Sequence, residues 1–437
     1  MHLSPRYKWF IVGVFLAFML LHQADKLLIG QVLTDIQRDF QIDDAQAGAI
    51  GTGALVVAAI FYPLWGYLYD RYARARLLAL ASFIWGVTTA LSAIAPNFGS
   101  FLATRASTGV DDASYPGLYS LVADYFGPKT RGRVFGLLQL TAPLGFVLSL
   151  VLVLALDPLI GWRNIFLLTG GLGLVVGLFI FFGVRDLPRG RAEPELENLP
   201  EIAAHRFDWV AARSLLKKRA LLPMFVQGFF GVFPLNVITF WFFTYLERER
   251  GFESDVIFPI MAGAVLAMSV GAFFAGWLGD RLFQRTPRGR LLVSTTGVMT
   301  STVLLFITLS LPPDTTPLIF GIMLALTALF VLFSGSNVAA TIQDITQPEV
   351  RSTALSVQYF VENIGAASAP LLVGALSNSM GLSSAILLIC VVTYVLCGVF
   401  LVIAVLRVPA DVAEMRALMR ERARESQGLA SGAAAGD

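Results

Sequence analysis

The chain has 437 residues, of which 56% are hydrophobic and 14% charged, and its mean hydropathy of +0.71 lies well above that of a soluble domain. A net charge of +2, with the basic residues spread over many short segments, excludes a nucleic-acid-binding surface, so no nucleic-acid partner is expected. The composition is that of a polytopic membrane protein, whose first partner is the lipid bilayer.

Crossing ~30 Å of hydrocarbon at 1.5 Å per residue takes about 20 apolar residues. Twelve such runs occur, in two groups of six. The first six lie near residues 9–32, 45–69, 77–95, 98–126, 132–156 and 163–184, and the second six near 221–246, 256–279, 291–311, 316–341, 351–377 and 382–406. The basic, apolar start MHLSPRYKWFIVGVFLAFMLL has no clear small-residue cleavage site and reads as a retained first span. The expected division is 1–185, an N-terminal six-helix bundle; 186–220, a polar linker with an interfacial helix at FDWVAARSLLKK; 221–407, a C-terminal six-helix bundle; and 408–437, a charged tail. The fold class is therefore an all-α membrane protein of twelve transmembrane helices in two pseudo-symmetric six-helix bundles.

Orientation follows from Lys and Arg. With both termini inside, 26 of the 32 basic residues fall on inner segments, which places both termini in the cytoplasm of a multi-pass protein of the cell (inner) membrane. Cys390 and Cys397, seven residues apart on one apolar span, read as core or lipid-facing residues. No nucleotide-binding loop, His/Cys metal spacing or nucleophile–base motif is evident, so neither an enzyme, a cofactor nor a metal is expected.

The fourth span, FLATRASTGVDDASYPGLYSLVADYF, carries Arg105, Asp111 and Asp112. A charge at that depth costs at least ~2.5–3.5 kcal/mol, and such residues pair, face a cavity and mark a transport path or proton relay. On a regular helix Arg105, Gly109, Asp112, Pro116 and Tyr119 share one stripe, with Asp111 about 100° away. Asp112 falls near the midplane. Asp25, in the outer half of the first span, falls level with Arg105, so these two are expected to pair. Asp112 is the candidate proton-coupling acid, with Arg105 favouring its deprotonated form. Asp111 either backs up Asp112 or pairs with Lys26. His22, one turn before Asp25, can extend a relay or be satisfied locally.

The second half carries less charge at corresponding depth. Its polar candidates are Gln227, Asn236, Ser334, Ser336, Asn337 and Asn363, with Glu362 as either a second proton site or a buried hydrogen-bonded residue. Phe229, Phe230, Phe233, Trp241 and Phe242 either line a cavity or pack against neighbouring helices and lipid. The substrate-cavity set is His22, Tyr115, Tyr119, Gln227, Phe230, Asn236, Trp241, Ser336, Asn337, Tyr359 and Asn363. This asymmetry suits an amphiphile with an anionic head, charge handled by the first half and apolar packing by the second.

The halves repeat. GYLYDRYARAR ends the second span and GWLGDRLFQRTPRGR the eighth, while DYFGPKTRG and DITQPEVRS match at Asp124/Asp344, Pro128/Pro348 and Arg131/Arg351. Gly66-x-x-x-Asp70-Arg71 with Arg74, echoed at Gly276, Asp280 and Arg281, resembles the signature loop of the major facilitator superfamily. Asp70 is expected against the start of the eleventh helix near Arg351, and Asp280 against the start of the fifth near Arg131, in contacts that close the cytoplasmic side and break when it opens. ADKLLIGQVLTDIQRDFQIDDAQAG and STGVDDASY further resemble the spinster branch, in a prokaryotic chain; its animal members move lysophospholipids and sphingosine phosphate. That resemblance implies that Asp112 is the branch's membrane carboxylate and Asp25 its first-helix acid, with Lys26 where Arg is usual, keeping the charge and losing the bidentate fork.

The function expected is secondary active transport by alternating access, coupled to protons, of an amphiphilic lysolipid-like or organic-anion substrate by a monomer. The alternatives are a drug or sugar-acid transporter for a small polar solute and, from another class, a membrane receptor or scaffold without flux.

Overall fold

The computed structural model describes residues 4–126, 134–135, 137–187, 218–346 and 351–434; within these, the side chains of 63, 66, 70, 123, 351–353, 356 and 418–434 are not described. The described residues form helices and no strand. The first half comprises α1 (Pro5–Leu28), α2 (Leu33–Phe40), α3 (Asp44–Arg71), α4 (Arg74–Ala93), α5 (Phe98–Ser107), α6 (Gly109–Asp112), α7 (Tyr115–Tyr125) and α8 (Thr141–Gly183). The second comprises α9 (Leu221–Gly231), α10 (Phe233–Arg248), α11 (Ser254–Phe283), α12 (Gly289–Leu309), α13 (Pro317–Val331), α14 (Gly335–Ile345), α15 (Arg351–Met380) and α16 (Leu382–Ala434).

Among the described residues, ten helices are long and apolar enough to span a membrane, and the difference from twelve has two causes. The α8 helix holds the fifth and sixth spans, reversing at Gly161, whose φ of +75° is open to glycine at little cost. The fourth span is split into α5, α6 and α7, each too short to count alone. Its breaks follow from its sequence: Pro116 has no N–H to extend a helix from α6, and Thr108 and Ser114 donate their backbone N–H to Arg105 and Asp111, three residues back, in tight turns. The tenth span breaks likewise between α13 and α14, and the seventh at Val232, just before Pro234. The tail from 408 does not start a separate helix, because α16 continues through Pro409 to Ala434. The interfacial helix expected at 207–218 lies, apart from Lys218, outside the described residues.

Packing defines the shape of the transporter-like shell. One apolar core joins both halves, with Leu28, Ile50, Phe101 and Phe146 of the first against Trp241, Phe242, Met261 and Val373 of the second. Two further cores each belong to one half: Ile11, Phe15, Trp85, Leu118 and Tyr125 in the first, and Met224, Leu291, Val338, Tyr394 and Leu401 in the second. The shared core lies on the side of the membrane away from the termini, here called the far side, and the two separate cores lie toward the termini. Cys390 and Cys397 are buried core residues.

Every hydrogen bond described between the halves also lies at the far end. Thr34 donates to Glu247 Oε2 at 2.6 Å, Arg248 to Asp44 Oδ1 at 3.1 Å and to Gln37, Ser377 to Asp44 Oδ2 at 2.5 Å, Asn378 to Asp43 Oδ2 at 3.0 Å, and Thr52 to the carbonyl of Ala367 at 2.6 Å. Close backbone approach makes room for them. A Cβ on Gly30 would sit 2.7 Å from the carbonyl oxygens of Thr239 and Phe240, and one on Gly374 would strike the carbonyl of Asp44. Glycine is required at both positions because backbone segments from different halves touch there, the turn after α1 on α10 and α15 on the start of α3.

On the terminal side, the ion pairs among described residues stay within one half. Arg74, 3% exposed, binds Asp124 at 2.6 Å and also reaches Asp186 and the Leu187 carbonyl. Arg290 holds Asp280 at 2.7 Å and also binds Asp344. Arg71 and Arg281 lie over the rings of Tyr67 and Trp277, and a Cβ on Gly276 would meet the Ser336 hydroxyl at an ordinary contact distance of 3.7 Å. Arg290 thus links Asp280 to Asp344 within the second half, while the start of the fifth helix near Arg131, against which Asp280 is expected, and the side chains of Gly66, Asp70 and Arg351 lie outside the described residues. Among the described residues, the hydrogen bonds that join the two halves thus all lie on the far side.

Candidate functional site

Between the halves lies a cavity of about 780 Å³ counted with its opening. The α1 helix contributes His22, Asp25 and Lys26, the turn after it Gly30, α3 contributes Ile50, Gly51 and Ala54, and the broken fourth span contributes Arg105, Thr108 and Asp112. The second half supplies Asn236, Thr239, Phe240 and Pro370. The far-side contacts of Gly30 and Gly51 form its roof.

Two charge pairs organise the first-half wall. Asp25 and Arg105 meet at 3.3 Å, both almost fully buried. Asp25 also accepts hydrogen bonds from Trp85 Nε1 at 3.1 Å, Thr89 Oγ1 at 2.9 Å and Thr169 Oγ1 at 2.7 Å. The Arg105 guanidinium lies 5.0 Å from the centre of the Phe166 ring. Donors from α4, the fourth span and α8 thereby compensate the desolvation of this carboxylate, which is what makes a buried ion pair tenable. Asp25 is anchored structure.

The second pair is looser. Lys26 Nζ donates to Asp112 Oδ2 at 2.7 Å, and the Lys26 side chain is 38% exposed whereas that of Asp112 is 7% exposed. Both residues line the cavity, the Lys26 side chain with much the larger exposed share. The cation bonded to Asp112 is Lys26, with Arg105 bonded to Asp25, and of the two alternatives for Asp111 the bond to Lys26 is not the one made. Asp111 Oδ2 lies 2.5 Å from His22 Nε2, and His22 Nδ1 lies 2.6 Å from the Tyr115 hydroxyl. The regular-helix stripe misplaces Asp111 because the tight turns at Thr108 and Ser114 rewind the segment, so Asp111 and Asp112 are both buried against α1.

Only part of the expected substrate-cavity set lines the space. His22 and Asn236 do. Trp241 is fully buried, its indole N–H donating to the Pro370 carbonyl at 3.0 Å; Gln227 is buried against Cys397; and Asn337 donates to the carbonyls of Ala275 and Phe333. Phe230 stacks on Phe400, Phe233 and Phe242 belong to the shared core, and Phe229 packs at its margin. These aromatics and amides are engaged in packing or hydrogen bonds outside this cavity, and Phe242 lines an adjoining apolar one. Tyr119 packs on Phe135, and Tyr359 and Ser336 are exposed outside the cavity wall. Asn363 donates to the Tyr359 carbonyl and Glu362 accepts from Gln358 at 2.6 Å, both within α15. Ser334 lies in the break between α13 and α14.

The residues missed are mostly uncharged: Gly30, Thr239, Phe240, Pro370 and Thr108 on the wall, and Thr89, Thr169 and Trp85 around Asp25. Isolated threonines on apolar spans were the available signal for the last group. A second, wholly apolar cavity of about 500 Å³ with its opening adjoins the first through Thr239, lined by Phe146, Leu235, Met261, Met268 and Leu324 among others.

Two six-helix halves around a central charged cavity, with discontinuous helices at its level, is a transporter architecture. The sequence matches the Major Facilitator Superfamily over residues 14–337 and 260–425. The chain belongs to the major facilitator superfamily. Its members transport and are not enzymes. Among the relatives to which this major facilitator is similar are "Protein spinster" of Drosophila melanogaster, 29% identical over 391 residues, and "Protein spinster homolog 1" of Homo sapiens, 28% identical over 401 residues. Both alignments cover 86% of this chain; they cover 63% of the fly protein and 74% of the human one. Among solved structures, a bacterial homolog to the human lysosomal transporter spinster, inward-facing and unoccupied, superposes with a TM-score of 0.77 at 21% identity, over 94% of this chain and 98% of that one. A D-xylose–proton symporter superposes at 0.71 with 16% identity, over 92% and 97%. These structural likenesses concern the fold.

Proposed function

We propose that this major facilitator carries an amphiphilic anion, a lysophospholipid or a similar organic anion, together with a proton by alternating access. The observation that carries the reading is the Lys26–Asp112 pair: a lysine whose side chain, 38% exposed, lines the cavity, bonded to a carboxylate only 7% exposed. An anionic head group reaching Lys26 competes with Asp112 for its charge. Once Lys26 is taken, Asp112 is left buried without its counter-ion, and taking up a proton relieves that cost. Anion and proton therefore favour each other's binding, a coupling that is reciprocal by linkage and corresponds to symport. Asp25 and Arg105 hold α1 against the fourth span while this exchange occurs.

The opposite wall supports an amphiphile over a small polar solute. The hydroxyl of Thr239 and the amide N–H of Asn236 are committed to the carbonyls of Leu235 and Val232 one turn back on their own helix. Phe240 and Pro370 complete that wall, and the adjoining apolar cavity suits a hydrocarbon tail. With basic residues concentrated on the terminal side, the cavity opens to the cytoplasm in this conformation. The test is binding of lysophosphatidylglycerol and of glucuronate to the purified protein at acidic and at neutral pH. The proposal expects the lysolipid to bind, more tightly at acidic pH, and the sugar acid not to; tighter binding of glucuronate would replace the amphiphile by a small polar solute.

A further inference from the structure

We propose that His22 and Asp111 form a second proton-holding site beside Asp112, from which the proton passes to Asp112 when an anion takes Lys26. This deepens the proton-coupled reading above and rests on it for the transfer step, though not for the holding site.

The geometry is a buried imidazole set between two carboxylates. His22 Nε2 lies 2.5 Å from Asp111 Oδ2 and 3.7 Å from Asp112 Oδ1, and His22, Asp111 and Asp112 are all at least nine-tenths buried. The ring is held on its other sides: Nδ1 lies 2.6 Å from the Tyr115 hydroxyl, Phe18 stacks at 5.8 Å and Trp85 meets it edge-on at 5.3 Å. The remaining freedom is a sideways shift of about 1 Å, which brings Nε2 to hydrogen-bond distance of Asp112.

The charge count points the same way. The charged groups acting on His22 are Lys26 on its own helix and Asp111 and Asp112 from the fourth span, whose Tyr115 bonds the ring; the cluster continues through Tyr62 of α3, near Asp112 and Lys26, and through Arg105, near Asp112 and paired with Asp25. Across the cavity, Asn236, Thr239 and Phe240 bring no charge. Three carboxylates face two permanent cations, so the cluster carries one uncompensated negative charge in a buried site unless His22 is an imidazolium. One oxygen of Asp111 and one of Asp112, both buried, have no hydrogen-bond partner. The orphan oxygen of Asp112 is the one nearer His22, and it is the place where the transferred proton would land.

The step balances without a co-reactant. The Nε2–H bond of the imidazolium breaks, its electron pair stays on nitrogen, and a lone pair of Asp112 Oδ1 binds the proton; His22 goes from charged to neutral and Asp112 from carboxylate to acid. Asp112 is thus neutralised as soon as Lys26 turns to the anion, and a proton from the cavity then refills the His22–Asp111 pair.

Two measurements test this. In the first, nitrogen NMR of histidine-labelled protein in nanodiscs, with His2 and His205 replaced by Gln so that one of the three histidines remains, reads the charge of His22 without any substrate. Wild type at neutral pH is expected to show both ring nitrogens protonated, and Asp111→Asn to show a neutral ring; a neutral ring in wild type overturns the holding site even if the variant does not fold. In the second, stopped-flow binding of lysophosphatidylglycerol, whose phosphodiester keeps one charge across this range, is followed through neutral pH. The wild-type association rate is expected to be flat, and that of Asp111→Asn to fall about tenfold per pH unit, since its proton must come from solution. Parallel profiles overturn the transfer. Failure of both proteins to bind the lipid at any pH instead overturns the substrate reading and leaves the NMR result to decide the holding site.

Discussion

Removing Asp44 is the sharpest way to perturb the far-side closure. Its carboxylate sits at the start of α3 and accepts hydrogen bonds from Ser377 at 2.5 Å and Arg248 at 3.1 Å, both from the other half, besides one from Gln37 of its own half at 2.7 Å. Hydrogen bonds to a charged group are worth ~1.5–3 kcal/mol each when sheltered, but the Arg248 side chain is one-third exposed and its share must be discounted for solvent screening. Taking one sheltered bond and a reduced ionic one gives about 2 kcal/mol of closure lost in Asp44→Ala, a shift of roughly 30-fold toward the conformation open on the far side. Distances between spin labels at Asn97 and Asp314, in exposed far-side loops of the two halves, report that population. With Cys390 and Cys397 replaced by Ser, the variant should show a second, longer distance at higher occupancy than in the parent. A distribution shifted by less than about twofold would refute the assignment of these bonds as the closure.

Gly374→Val should push the same equilibrium further, because its side chain strikes the Asp44 backbone, and the same labels should report mostly the long distance. Asp25→Asn should lower stability by about 3–5 kcal/mol, seen as a lower thermal midpoint in detergent, since it strips Arg105 of its counter-ion in a buried site. Lys26→Gln should weaken lysophosphatidylglycerol binding at least about tenfold while leaving the thermal midpoint within a few degrees, because the lysine is half-exposed and Asp112 can be protonated in its absence. Comparable losses of stability in Lys26→Gln and Asp25→Asn would contradict the contrast between a loose pair and an anchored one.

Much of this was legible in the chain. Span length and hydropathy locate every membrane crossing, and the matched Asp124/Asp344 and Asp70/Asp280 loops reveal the two halves, since both features are local or periodic. Depth along a helix was also legible, which is why Asp25 and Arg105 could be set at one level. Rotation was not. Pro116 and the Ser114 turn break the fourth span and bring Asp111 and Asp112 to one side, and that rewinding decides which acid meets Lys26 and which meets His22. The second-half wall was hardest to read. Trp241 and Asn337 look like cavity residues by chemistry, yet each finds a backbone carbonyl within its own half, while Thr239, Phe240 and Pro370 reach the cavity through helix placement that no local pattern encodes.

The central claim is that Asp112 changes its proton as the anion engages Lys26. The most direct measurement is uptake of lysophosphatidylglycerol into proteoliposomes driven by an imposed proton gradient, comparing wild type with Asp112→Asn. The amide cannot carry the proton, so the variant should still equilibrate the lipid down its own gradient but lose acceleration by the proton gradient. Gradient-driven uptake by Asp112→Asn at the wild-type rate would contradict the claim.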